Sequence, residues 1–223
     1  MGDVIGQLLP TAVGVATSPV PVIAVILMLL APRAGATSAG FLAGWVLGIV
    51  SATSVFVALA GGLTDSDDGP SSTVGWIKLV LGLALLAAAG KQFRGRPRDG
   101  EQPALPKWMA AIDSMTAGRA FGLGVLLSAV NPKNLGLCLA AGVSIGAAGL
   151  STGGAVAAVA VYTAVAAATV AVPVLAYAAA ADRMSKPLDA LRRWLVEENA
   201  VIMAVLLAVL GVALLGQGIS AVA

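Results

Sequence analysis

Length, composition and charge already exclude several classes of protein. The chain has 223 residues, of which 59% are hydrophobic and 11% charged, and its mean hydropathy is +0.96. These values exclude an ordinary soluble domain and predict an all-α polytopic membrane protein. The net charge of +2 gives no reason to expect nucleic-acid binding, and the absence of histidine excludes histidine-dependent triads and most transition-metal sites. We therefore expect no metal, no cofactor and no enzymatic activity.

The first part of the chain, residues 1–93, predicts three membrane spans. The apolar runs lie at about residues 4–30, 36–60 and 74–89, and short polar turns separate them. The first run is longer than the apolar core of a signal peptide and has no small-residue cleavage signature. We therefore expect it to remain in the protein as a span.

Glycines and a lysine within the second and third spans indicate how these helices pack. Gly40, Gly44 and Gly48 recur every four residues along one helix face. This spacing is typical of a face on which helices approach closely, either within the chain or against a second copy in a homo-oligomer. Lys78 lies close enough to the start of the third span for its ammonium to extend to the membrane interface.

The connections around the third span differ in charge. Asp65, Asp67 and Asp68 precede the span and predict a solvated acidic turn, because their register does not fit a calcium loop. Residues 94–117 form a basic linker that contains prolines. The basic stretch 91–107 at this linker is a candidate docking site for cytoplasmic partners.

The last part of the chain, residues 118–223, predicts three further spans, at about residues 120–150, 154–181 and 199–222. Between the last two, residues 182–198 carry charges of both signs and apolar residues at helical spacing. This pattern predicts an amphipathic helix on the membrane surface.

The distribution of basic residues predicts the orientation of the spans. Lysine and arginine crowd the connections after spans one, three and five, whereas the connections after spans two and four have none. Both termini should therefore face away from the cytoplasm. Each half has an odd number of spans, so two similar halves would enter the membrane in opposite senses. Inverted three-helix repeats of this kind place a transporter's substrate site near the membrane midplane.

Proline motifs interrupt the first span of each half. They are Ser18-Pro19-Val20-Pro21 and Asn131-Pro132-Lys133-Asn134, whose first prolines are 113 residues apart (132 − 19). A lysine at the bilayer centre costs about 3 kcal/mol, and a proline leaves a helix carbonyl without its donor. The matching positions favour a substrate site over routine kinks. The candidate substrate-binding residues are Ser18, Pro19, Pro21, Ser128, Asn131, Pro132, Lys133 and Asn134.

The chemistry of the ligand stays open from these motifs alone. Free amides at the start of each half-helix, together with Lys133, would attract an anion. Free carbonyls could instead hold a cation, and Lys133 could pair with a carbonyl and never touch substrate. Residues 142–146 match the G-x-S-x-G pattern of hydrolases, but a chain without histidine favours packing glycines there.

These motifs and the arrangement of six spans resemble the LysE superfamily of exporters. The first motif, the long basic central loop and the Ala/Gly-rich spans are most similar to the branch of GAP and Sap proteins, the glycopeptidolipid- and sulfolipid-addressing proteins. The similarity covers nearly the whole chain. It implies a multi-pass protein of the bacterial plasma (inner) membrane that moves a cell-envelope lipid or a small molecule outward.

Departures from other branches of the superfamily narrow the implied substrate. Amino-acid exporters usually carry Asn-Pro-Gly-Pro in the first helix, where this chain has Ser18 and Val20 in place of Asn and Gly. The thiol-relay branch needs a cysteine in each half, and Cys138 is the only cysteine. The resemblance therefore implies lipid export first. The alternatives are an amino-acid or other small-solute exporter, and a scaffold that recruits lipid-export enzymes and transports nothing.

Overall fold

Helices make up nearly all of the described structure. The computed structural model describes residues 2–64, 72–95, 112 and 114–222, and these contain no β-strand. The predicted all-α fold is confirmed. The predicted acidic turn and most of the basic linker lie outside the described residues. In chain order the helices are α1 (Gly2–Ala16), α2 (Pro19–Leu30), α3 (Ala34–Thr64), α4 (Ser72–Arg94), α5 (Ala117–Val125), a π-helical turn (Leu126–Val130), α6 (Pro132–Gly146) and α7 (Thr152–Val222).

Between four and six segments of the described chain are long and apolar enough to cross a membrane. Four of these segments are single helices, namely Ala34–Ala60, Val74–Arg94, Thr152–Ala181 and Ala200–Val222. The pairs α1 with α2 and α5 with α6 reach this length only when each bent pair counts as one span. The six predicted spans correspond to the upper count.

Both bent pairs are broken at a proline motif, as the sequence predicts. α1 and α2 meet at 53°, and the segment Ala117–Val130 meets α6 at 62°. Pro19 and Pro132 are the first residues of α2 and α6, where the missing N–H is tolerated and the fixed φ suits a new helix. Ser18 and Asn131 are extended, because a proline disfavours helical backbone in the residue before it.

The glycine face of α3 packs inside the chain. A Cβ on Gly40 would lie 2.5 Å from the carbonyl oxygen of Ala117, and one on Gly44 would collide with that of Phe121. Gly48 continues the contact two turns after Gly40. The backbones of α3 and α5 therefore touch and run in the same direction. The predicted packing face is confirmed, and its partner is the fourth span of the same chain.

The α4 helix packs antiparallel to the final span. Gly75 of α4 approaches Val222, and Gly82 approaches Gly211. Lys78 lies between these two glycines, and its side chain is only 7% exposed. Neighbouring helices therefore cover most of this side chain, and the prediction that its ammonium extends to the membrane interface stays a prediction.

Residues 182–198 are helical and continue into the final span without a break in the helix. The backbone of α7 departs from helical geometry at Ala180, and the helix then continues to Val222. Leu188 and Leu195 are buried against the bundle, whereas Leu191 and Trp194 are exposed. The segment is helical as the sequence predicts, it lies between the candidate spans Thr152–Ala181 and Ala200–Val222, and its position on the membrane surface stays a prediction.

We expect Gly44→Ala to destabilise the bundle, because the added methyl would meet the backbone of Phe121 rather than a movable side chain. Overpacking of this kind costs about 1–3 kcal/mol. Gly122→Ala, on the facing helix α5 with open space around its Cβ, is the matched control. Thermal unfolding in detergent micelles measures the difference. Equal melting temperatures for the two variants would contradict the α3–α5 contact.

Candidate functional site

The two helix breaks meet in the protein interior. Lys133 Nζ donates hydrogen bonds to the Gly14 carbonyl oxygen, at 2.8 Å, and to the Ser18 hydroxyl. The Ser18 hydroxyl donates to Asn134 Oδ1 at 3.2 Å. Ser18 and Asn134 are buried, and Lys133 is half-buried. We name Gly14, Ser18, Lys133 and Asn134 the polar bridge, since they join the two proline motifs into one site.

The hydrogen bonds of the polar bridge run in one direction. Lys133 donates to Ser18, and Ser18 donates to Asn134. The Asn134 amide then donates to the Leu127 carbonyl at 2.9 Å, in the π-helical turn where the regular helix stops. The series therefore begins on a charged donor and ends on a backbone acceptor. A buried polar network is stable when each member has a partner in this way.

The carbonyls at the end of α1 have all found donors. An unpaired carbonyl in lipid costs several kcal/mol, so the break in the first span needs these partners. The Gly14 carbonyl is the one of these carbonyls that bonds to a cation, the Lys133 ammonium. In chain order the carbonyls and their donors are Val13 with Thr17, Gly14 with Lys133, Val15 with Ser18, and Ala16 with Thr169.

Prolines remove most of the free amides that the breaks would otherwise present. α2 begins Pro19-Val20-Pro21, so Val20 alone among these three residues has an N–H group. In α6 Pro132 has none, and the Lys133 amide donates to the Asn131 side chain at 3.0 Å. A helix start with few free N–H groups attracts an anion only weakly. The Lys133 ammonium, rather than the backbone, is therefore the group that can attract negative charge here.

Of the other predicted site residues, Asn131 accepts from the Lys133 backbone amide, and none bonds to a side chain of the polar bridge. Pro19, Pro21 and Pro132 shape the two helix starts, and Asn131 caps α6. Ser128 faces α3 instead of the polar bridge. Its hydroxyl donates to the Gly124 carbonyl of its own span at 2.8 Å and lies against Gly48 of α3. The structure therefore brings Ser18, Lys133 and Asn134 into direct contact, but not Ser128.

Two residues of the site were not among the predicted ones. Gly14 contributes only its carbonyl, which no side chain signals in a sequence. Thr169, of α7, donates to the Ala16 carbonyl across 153 residues of sequence. A hydroxyl in an apolar span needs an acceptor, so the sequence did indicate that Thr169 makes a hydrogen bond. The identity of its distant acceptor depends on the fold.

An apolar cavity of about 470 Å³ opens beside the break in the first span. We name it the larger cavity, since a smaller one lies on the other side of the polar bridge; a further cavity of about 490 Å³ lies between α3 and α7, away from the site. Trp194 in the wall of the larger cavity is an exposed residue, so this cavity reaches the surface of the bundle. Its volume is in the range of small-molecule sites. Its walls come from the break, from the fifth span and from the start of the final helix, and include Ser18, Val22, Thr169, Val172, Trp194 and Leu195.

A smaller cavity of about 220 Å³ lies between α4 and α6 on the other side of the polar bridge. Lys133 and Leu85 are among the residues that line it. Ser18 lines the larger cavity and Lys133 lines the smaller one, so their hydrogen bond separates the two spaces. Within the described ranges, no cluster of His, Cys, Asp or Glu could hold a metal ion.

These features define a helical membrane protein with a polar site where two broken spans meet and an apolar cavity beside it. Residues 8–220 match the family described as Sap, sulfolipid-1-addressing protein. The chain belongs to this family, as the resemblance of its motifs implied. A search of curated proteins and a search of solved structures each found no match.

We expect Asn134→Leu to destabilise the protein, because it removes the donor to the Leu127 carbonyl and the acceptor for Ser18. Unpaired buried groups of this kind cost about 1–3 kcal/mol. Ser144→Ala is the control on the same helix, since its hydroxyl bonds only to the Ala140 carbonyl one turn earlier. Thermal unfolding in micelles compares the two. A control that melts as early as Asn134→Leu would contradict the role of the polar bridge in stability.

Proposed function

We propose that this protein is a transporter that moves an anionic cell-envelope lipid outward across the bacterial plasma membrane. The observation that carries the proposal is the Lys133 ammonium at the helix breaks, next to the larger cavity. Membership of the Sap family supports a lipid substrate, because the description of the family names a sulfolipid. A sulfolipid combines an anionic sulfate with apolar tails.

The hydrogen bonds of Lys133 support a role in head-group binding. An ammonium has three N–H donors, and among the described residues its acceptors are the Gly14 carbonyl and the Ser18 hydroxyl. Neither acceptor is charged, and the ion pairs of the described chain both involve Asp189 instead. A sulfate or phosphate oxygen would supply the opposite charge. A hydrogen bond to a charged group contributes about 1.5–3 kcal/mol.

The larger cavity supports a role in binding the tail. Ser18 lines the cavity and also touches Lys133, so a ligand could occupy the cavity and reach the ammonium at the same time. A tail that moves from the bilayer into this apolar space exchanges one apolar environment for another, at little cost. The affinity for different lipids would then depend mainly on the head group and Lys133.

Outward movement would require the polar bridge to open. A head group that replaces Gly14 on the Lys133 ammonium would weaken the link between the two broken spans. We propose that residues 1–93 and 118–223 act as inverted repeats that rock about this point, as in other transporters with broken helices. Pro19 and Pro132 would fix where each span bends.

The alternative functions have less support. A small-solute exporter would need a pocket with several convergent polar groups, whereas the larger cavity is almost entirely apolar. The scaffold hypothesis depends on the basic stretch 91–107, of which residues 96–107 lie outside the described part of the chain.

We expect Lys133→Met to slow the transport of an anionic lipid by about tenfold or more, the loss expected from one charge-assisted hydrogen bond. Methionine has a similar length, needs no partner and carries no charge. The purified protein is placed in liposomes with tail-labelled phosphatidylglycerol as the anionic probe and phosphatidylcholine as the zwitterionic probe. The rate at which each label changes its accessibility to external dithionite measures transport.

Lys186→Met is the matched control, because it removes an exposed lysine from the segment before the final span. It should transport phosphatidylglycerol at the wild-type rate. Melting temperatures establish that both variants are folded. A wild-type protein that moves neither lipid, or a Lys133→Met variant that moves phosphatidylglycerol at the wild-type rate, would contradict the proposed function.

A further inference from the structure

Three apolar side chains in the wall of the larger cavity are exposed, and they mark where it opens. Val172 belongs to the fifth span, and Leu191 and Trp194 belong to the segment 182–198. The backbone of α7 leaves helical geometry at Ala180, between these two parts, so both form walls of the same cavity. We name the gap between Val172, Leu191 and Trp194 the side entrance.

The larger cavity extends from one face of the membrane to about its middle. The fifth span ends at Ala181, nine residues after Val172 (181 − 172) and twelve after Thr169 (181 − 169). At about 1.5 Å per residue, Val172 and Thr169 lie about 14 and 18 Å from the end of the span. The hydrocarbon core of a bilayer is about 30 Å thick, so one leaflet accounts for about 15 Å. The cavity therefore matches the depth of a single leaflet.

The first span gives the same depth for the inner end of the cavity. Ser18 and Pro19 line the cavity at the helix break, and α2 continues for 12 residues to Leu30. Its rise of about 18 Å leads from the break to the connection that follows the first span. The break therefore lies near the membrane midplane.

The distribution of charge assigns this leaflet to the cytoplasmic side. The connection after α2 contains Arg33, and the segment 182–198 contains four lysine and arginine residues. The connections 65–71 and 147–151, at the opposite ends of the neighbouring spans, contain none. The positive-inside rule therefore predicts that the side entrance faces the inner leaflet.

The apolar rim of the side entrance favours a lipid over a water-soluble anion. A soluble anion would leave water and pass Val172 and Leu191 without a polar partner, which is costly. A lipid tail would move from the bilayer into the cavity without leaving an apolar environment. Its head group could meanwhile stay level with Trp194, since tryptophan is common at the membrane interface.

We propose that the larger cavity takes its lipid from the inner leaflet through the side entrance, where Val172 and Trp194 contact the tail. The head group then moves along the cavity to Ser18, which contacts Lys133. The inference rests on the proposed function and adds the leaflet and the route from which the lipid is collected.

The first test narrows the side entrance. In liposomes, Val172→Trp should transport tail-labelled phosphatidylglycerol about tenfold more slowly, because the added ring fills part of the gap that the tail passes. Leu175→Trp is the matched control, since Leu175 lies on the same span and is 64% exposed, against 62% for Val172, but is not part of the cavity wall. It should keep the wild-type rate.

Val172→Ala separates a blocked entrance from a loss of structure. This variant widens the gap and should transport phosphatidylglycerol at least as fast as the wild type, whereas a purely structural role of Val172 would slow both variants. Melting temperatures in detergent establish that all three variants are folded.

The second test places the side entrance in one leaflet. Lys186→Cys introduces a thiol at an exposed position of the segment 182–198, and the native Cys138 is buried. A membrane-impermeant maleimide should label this variant in inside-out membrane vesicles but not in intact spheroplasts. Labelling in spheroplasts would place the entrance at the outer leaflet and overturn the inference.

The outcomes separate this inference from the proposed function. If Val172→Trp transports at the wild-type rate, or if both tryptophan variants slow transport equally, the side entrance is wrong and the proposed function is intact. A wild-type protein that moves no lipid contradicts the proposed function itself, and the inference falls with it.

Discussion

Lys133 joins two helix breaks that would each be unfavourable alone. The break in the first span frees carbonyls, and the break in the fourth span introduces a charge into an apolar bundle. The Lys133 ammonium gives the freed Gly14 carbonyl a donor, and that carbonyl and the Ser18 hydroxyl give the charge its acceptors. Ser18 in turn donates to Asn134. The cavities on either side of the polar bridge exist because the helices bend at this point. Their position next to a positive charge follows from the same contact.

Small residues hold the bundle around the polar bridge. The glycine face of α3 brings it into backbone contact with α5, which fixes the first part of the broken fourth span. Gly82 of α4 and Gly211 of α7 allow a similar approach on the other side. In lipid such close packing replaces the hydrophobic effect as the source of helix association. Closely packed spans without a proline break at their centre therefore surround the two bent ones.

The sequence predicts the features that depend on composition and local geometry. Apolar runs predict the spans, and the prolines predict the breaks, because both follow from properties of the residues themselves. The matching positions of the two motifs placed Ser18 and Lys133 in one candidate site, but the hydrogen bond between them was not predicted. The direction of Ser128 could not be predicted, since the neighbouring helix that covers its side chain depends on tertiary packing. The same is true of Leu188 and Leu195, which are buried against the bundle.

The most direct test of this account is a structure of the protein in nanodiscs that contain phosphatidylglycerol. We expect elongated density in the larger cavity, which ends at a head group within about 3 Å of Lys133 Nζ. Lys133→Met in the same nanodiscs should lose the head-group density. Lipid density confined to the outer surface of the bundle, with only protein acceptors around Lys133, would contradict a site for lipid at the helix breaks.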